Sequence, residues 1–153
     1  MIVRDYMTTR VKSCTADTDL GTVATMMWDG DCGVVPVISD NQNVVGMITD
    51  RDICIAAATR GTSPSNIQVR DVMSGDVFAC VPDDDVRTAL KIMRDQRVRR
   101  LPVIDRDERL AGIVSLNDLA TGAECREGAN VPGDAFLETL KAICEHTRPT
   151  VTA

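Results

Sequence analysis

Histidine is almost missing from this chain of 153 residues: the one copy, His146, stands close to the C-terminus. Acid–base catalysis draws on histidine more than on any other side chain. No nucleophile–base pair, no phosphate-binding P-loop and no zinc-type spacing is written anywhere in the chain. The protein is therefore read as a non-enzyme. Aromatics are scarce at 3%, and nothing in their placement suggests a cofactor box. An excess of basic charge is also lacking. The net charge of −6 argues against a general nucleic-acid binder, which needs a basic face to neutralise phosphates. The apolar runs fall far short of the roughly 20 residues of a membrane helix. The N-terminus carries Arg4 and Asp5 early and lacks an apolar signal core, so a soluble cytoplasmic protein is expected. Six cysteines (14, 32, 54, 80, 125 and 144) form no CxxC pair. Free thiols packed in a core are the expectation for them. Cys144 and His146 are two apart on an expected helix and do not face each other, so no metal site is assigned.

What the chain does have is a repeat. Gly46-Met47-Ile48-Thr49-Asp50-Arg51-Asp52 returns as Gly112-Ile113-Val114-Ser115-Leu116-Asn117-Asp118, at an offset of 66 (112 minus 46). The same offset aligns Val3-Arg4-Asp5 with Val69-Arg70-Asp71, Cys14 with Cys80, Met27 with Met93, and Pro36-Val37-Ile38 with Pro102-Val103-Ile104. No gap is needed. A fixed internal period makes the two halves one structural unit written twice.

Within the unit, a helical turn at 3–7 leads to a small strand near 13–15. Leu20, Val23, Ala24 and Met27 then form one stripe of an amphipathic helix, and Val86, Ala89, Leu90 and Met93 repeat it. Residues 34–38 and 44–48 read as a hairpin across the turn residues Ser39 to Asn43, followed by a helix carrying Ile53, Ala56 and Ala57. In the second copy the strands are expected at 101–104 and 110–114. Residues 122–134 read as loop, and Asp134 to His146 as a final helix with Phe136, Leu137, Leu140, Ile143 and Cys144 on its apolar side. The expected boundaries are 1–62 for repeat one, 63–122 for repeat two, and 123–153 for the loop and helical tail.

Two readings of the doubled motif compete. Thr49-x-x-Asp52 and Ser115-x-x-Asp118 resemble capping boxes, which satisfy orphan amides and stabilise a helix by about 1 kcal/mol. The strand and glycine before each helix start, and the duplication, point instead to an anion-receptive site.

Taken together, a β-α-β-β-α unit written twice, "LPVID" before a turn, and "G-h-h-(T/S)-x-x-D" after it resemble a pair of CBS domains, the Bateman module. The likeness covers residues 1 to about 122. The string Thr49-Asp50-Arg51-Asp52 and the tail around Leu140 to Cys144 are similar to stand-alone actinobacterial CBS proteins of the hypoxic response type. The resemblance implies an α/β (α+β) fold of tandem pseudo-symmetric repeats plus a C-terminal helix, with two clefts for adenosine ligands: AMP, ADP, ATP or S-adenosylmethionine.

Carried over residue by residue, Asp52 would hold ribose hydroxyls and Thr49 a phosphate or ribose oxygen in the first cleft. Asp118 and Ser115 match them in the second. Groups near Met7, Lys12, Cys32 and Ile48 would sandwich the base; Met73, Phe78, Val98 and Val114 are their equivalents. A carboxylate repels phosphate, so cations are required, and the arginine fork suits them. Arg99 and Arg100 are placed to reach the partner repeat's cleft, whereas their counterparts Gly33 and Val34 carry no charge. An asymmetric pair is expected, with the better site on Thr49 and Asp52. For Arg94 and Arg97 a solvated edge paired with Asp95, Asp105 or Asp107 is an equal reading. Met26, Met27 and Trp28 read as core or dimer surface. The functional expectation is a nucleotide-binding regulatory module, homodimeric through its amphipathic helices, without catalytic cofactor, nucleic acid or membrane, and acting on a regulated protein that the sequence does not name. The alternative is a ligand-independent interaction module in which Asp52 and Asp118 only cap helices.

Overall fold

Each copy of the repeat folds around one antiparallel hairpin. A computed structural model of the chain describes residues 1–122 and 131–145. In the first copy, helix α1 (Leu20–Asp29) precedes strands β1 (Val34–Ile38) and β2 (Val44–Thr49) and helix α2 (Asp50–Thr59). In the second, α3 (Val86–Gln96) precedes β3 (Arg100–Ile104), β4 (Leu110–Ser115) and α4 (Leu116–Gly122), and α5 (Gly133–Cys144) follows. The registers are the same: Val34 pairs with Thr49 and Val37 with Gly46, as Arg100 pairs with Ser115 and Val103 with Gly112. The result is a mixed α+β fold with two small antiparallel sheets.

The helices start where the sequence places acceptors. Asp19 caps α1 by accepting from the Thr22 amide, and Asp85 caps α3 by accepting from the Arg87 amide. The apolar stripes then face inward: Leu20, Val23 and Met27 are buried in α1, and Val86, Ala89, Leu90 and Met93 in α3. In α2, Ile53 and Ala56 are buried but Ala57 is exposed, because it lies outside the i, i+3 stripe. The strand expected near 13–15 is a single parallel bridge from Cys14 to Val37, matched by Cys80 to Val103. The chain turns at Thr15–Thr18, whose amide and carbonyl are 3.1 Å apart, before a second pair can form.

The repeats exchange their leading segments. Val3 and Tyr6 pack in the core of the second repeat with Val86, Leu90 and Leu119, whereas Ile67 and Val69 pack in the core of the first with Leu20 and Val23. Main-chain bonds pin both crossings. The amides of Val3 and Arg4 donate to the carbonyls of Asp84 and Pro82, and those of Val69 and Arg70 donate to Thr18 and Ala16. Arg4–Asp83 and Arg70–Asp17 ion pairs close them. Ser74 then bridges Met47 on β2, and Thr8 bridges Ile113 on β4.

Helix α5 is one residue longer at its start than expected and stops at Cys144; His146 lies outside the described residues, as does most of the expected loop. It packs along α3 through only part of the stripe read from the sequence. Ala135, Phe136 and Ile143 pack against the second core, whereas Leu137 and Leu140 are exposed. The buried centre of the contact is Thr139, whose single hydroxyl proton is shared between the carbonyls of Ala135 at 2.7 Å and Leu90 at 3.2 Å. Its polar hydroxyl is satisfied at both acceptors, which removes the usual cost of burying it.

Candidate functional site

Both helix starts form the box read from the sequence. The Thr49 amide and hydroxyl donate to Asp52 Oδ2 at 3.0 and 2.6 Å, and the Asp52 amide donates back to Thr49 Oγ1 at 3.2 Å. Ser115 and Asp118 repeat this at 2.8, 2.6 and 3.1 Å. In each case Oδ2 takes both bonds. No hydrogen bond reaches Oδ1 of either aspartate among the described residues.

The α2 start opens into a cleft of about 630 Å³ between the repeats. Thr49 and Asp52 line it from the first repeat; Arg97, Val98, Arg99 and Arg100 line it from the second. Asp76 and Phe78, on the segment that follows the Ser74 bridge, complete the wall. Of the four arginines near the end of α3, Arg94 alone has carboxylate partners among the described residues, Asp95 at 3.3 Å and Glu138 at 2.9 Å. Arg97, Arg99 and Arg100 are unpaired there. Arg97 holds a left-handed backbone (φ 54°) at the C-cap of α3, where its amide bonds back to Arg94 and Met93.

The remaining expected residues divide. Phe78 and Val98, read as base-side groups of the second cleft, instead line the first, beside Thr49 and Asp52. The crossing of the leading segment carries Phe78 there. Ile48 and Val114 are fully buried, members of the two cores. Met7 packs against the second core and Met73 against the first, each beside the other repeat's motif glycine. Lys12 donates to the Met26 carbonyl at 3.4 Å. Cys32 lines a different cavity, of about 500 Å³, with Met27, Trp28 and Ile53 on the outer face of the first repeat. Ser115 lines a smaller one of about 270 Å³ with Arg99, Arg100 and Phe136. Asp76 and the α5 residues Leu140 and Ile143 were not read as site residues. The repeat gave no signal for Asp76, whose counterpart at the same offset is Arg10.

Cys14 and Cys80 are buried as expected, and burial pushes their thiols up to about 11 and about 12; the nearby Asp84 adds to the rise at Cys80. They are inert packing groups rather than nucleophiles. Among the described residues, no three His, Cys, Asp or Glu side chains stand close enough to hold a metal ion. No described helix is long and apolar enough to cross a membrane.

Two hairpin-and-helix repeats, interlocked by their first segments and each ending in a boxed helix start, define a tandem-repeat module. The chain belongs to the CBS domain family, whose profile matches residues 3–58 and 69–123. It is similar to Hypoxic response protein 1 of Mycobacterium tuberculosis, 30% identical over 141 residues and 92% of each chain. An uncharacterized protein of Methanopyrus kandleri is 34% identical over 97 residues, 63% of this chain and half of that one. Among solved structures, Hypoxic Response Protein I with two coordinated zinc ions superposes at a TM-score of 0.72 and 30% identity, covering 79% of this chain and 98% of that one. The CBS domain pair of protein MJ0100, in complex with 5'-methylthioadenosine and S-adenosyl-L-methionine, gives 0.72 at 21% identity over 79% and 98%.

Proposed function

We propose that this chain is a non-catalytic regulatory module that binds an adenosine nucleotide (AMP, ADP or ATP) in the cleft between the α2 start and Arg97–Arg100. One observation carries the reading: a boxed helix N-terminus and three arginines without carboxylate partners line the same cleft from opposite repeats. Asp52 Oδ1 offers lone pairs to ribose hydroxyls while Oδ2 keeps the box intact, so capping and binding coexist on one side chain. Phosphate is drawn to the arginines, and Phe78 offers a face to the base. Each charge-assisted bond contributes about 1.5–3 kcal/mol, so a few of them and a buried base reach the roughly −8 kcal/mol of a micromolar site. The adenosine ligands of the MJ0100 pair, a relative in fold, support the same class of ligand here. Because the cleft is built from both repeats, a ligand that touches both favours one inter-repeat angle, and a partner protein reads that angle.

The reading includes a cytoplasmic location, where such nucleotides are found, and a homodimer. Its natural seam is the outer face of the first repeat, where Trp28 is 87% exposed beside Met27 and Ile53. A second reading, a ligand-independent docking module, is favoured by the capping box itself, which accounts for Thr49 and Asp52 without any ligand. Titration calorimetry with AMP, ADP, ATP and S-adenosylmethionine separates the two. The nucleotide reading expects binding by the wild type, weakened in Asp52→Asn and in Arg99→Ala/Arg100→Ala. No heat with any of the four leaves the docking reading.

A further inference from the structure

Helix α5 lies outside both stretches matched by the family profile, yet Leu140, Ile143 and Cys144 line the cleft that holds Thr49, Asp52 and the three unpaired arginines. We infer that α5 is a wall of the binding site and sets which end of the ligand lies where. The inference rests on the nucleotide reading above and extends it to a helix that the repeat pattern does not contain.

Three observations carry it. First, α5 is held in place by specific contacts rather than loosely attached. Thr139 donates to the Leu90 carbonyl at 3.2 Å, Glu138 accepts from Arg94 at 2.9 Å, and Phe136 packs on the second core. Second, Leu140 is 38% exposed although it lines a cleft, so its apolar surface is left uncovered by the described residues. A base edge or ribose face laid against it removes that surface from water. Third, α5 ends at the cleft: Cys144 is its last residue. The C-terminal end of a helix carries partial negative charge, which disfavours phosphate. The arginines carry the opposite sign, whereas the first amides of α2 are already taken by Gly33, Asp50 and Thr49 and its first turn carries Asp50 and Asp52. The arginines and the end of α5 together polarise the cleft, with phosphate toward the arginines and the nucleoside under α5.

Arg94 links the parts. It is the one arginine of its cluster spent on α5, and its neighbours along the chain, Arg97 to Arg100, face the ligand. Ligand occupancy and α5 docking therefore share one short segment, and each stabilises the other.

The test uses the full chain, with ATP and AMP as probes, in two measurements. Calorimetry on Leu140→Ala is expected to show affinity weakened by about tenfold, from lost apolar contact. Leu137→Ala, on the exposed side of the same helix, is expected to bind as the wild type does. Alkylation followed by mass spectrometry is expected to show Cys144 protected by nucleotide, while exposed Cys54, outside this cleft, serves as the internal reference. A purely structural role for Leu140 would lower the melting temperature and leave affinity unchanged. That result, or a Cys144 that reacts equally fast with nucleotide bound, overturns this inference and leaves the nucleotide reading standing. No binding by the wild type overturns both.

Discussion

A Cβ placed on Gly46 would stand 2.9 Å from the carbonyl oxygen of Ser74, a residue of the opposite repeat's leading segment. Gly112 and the Thr8 carbonyl repeat the relation at 2.8 Å. The first residue of each G-h-h-(T/S)-x-x-D motif is thus a glycine because another strand crosses there, before any question of ligand arises. Gly46→Ala and Gly112→Ala are each expected to lower stability by roughly 1–3 kcal/mol in urea unfolding, the usual cost of overpacking. Gly75→Ala, where a Cβ meets open space, is the control and is expected to be neutral or mildly stabilising.

Arg97 offers the opposite experiment. Its left-handed backbone is one a glycine adopts without strain, so Arg97→Gly is expected to keep stability or raise it by up to about 1 kcal/mol. Nucleotide affinity is expected to weaken, roughly twofold to fivefold for an exposed, screened charge, and added salt narrows the difference. Stability and affinity that fall together would show the arginine to be a structural cap only.

The buried thiols make a reactivity prediction and a pH prediction. At neutral pH, alkylation is expected at Cys54 and Cys144, which are exposed, and not at Cys14 or Cys80 until the chain unfolds. Folded-state values raised to about 11 and about 12 mean the unfolded chain releases these protons first, from about 9. Stability is therefore full below about 9 and falls as pH climbs toward 11 and 12. A Cys14→Ala/Cys80→Ala variant is expected to show a shallower alkaline loss in its urea midpoints.

On the acid side the sign reverses. The hydroxyl and amide of Thr22 hold the Asp19 carboxyl below its ordinary value, and Lys91, with Arg94, does the same for Asp95. Their stabilisation is present above the pKa of an unfolded carboxyl, about 3.9, and is lost as pH falls through the lower folded values. Asp19→Asn is expected to flatten that part of the acid unfolding curve.

Much of the fold was legible because each element is written twice. The stripe from Leu20 to Met27 and the stripe from Val86 to Met93 corroborate each other, and both hairpins fall within a residue or so of the spans expected. The exchange of leading segments was not legible. Periodicity tells which side of an element is apolar but not whose core it meets, so Val3 and Val69 look the same whichever way they pack. That omission grouped Phe78 with the second cleft, whereas it lines the first; Val98 lines the first as well, from the junction of α3 and β3. In α5 the pattern misled for a different reason: a threonine with both acceptors in reach is buried, while two leucines are left out. The meeting of Thr49 and Asp52 with Arg99 and Arg100 in one cleft was anticipated from the family resemblance, and the charge present in one repeat and missing from the other pointed to an asymmetric pair.

The interlocked segments have a consequence for how the chain holds together. Cut within residues 61–66, the first half would keep Met1 to Thr8 but lose the core those residues fill, and the second would keep Ile67 and Val69 with nothing to insert them into. Neither half is a closed body by itself; mixed together, each supplies the other's missing wedge. What joins the two halves is their exchanged segments as much as the backbone link between them.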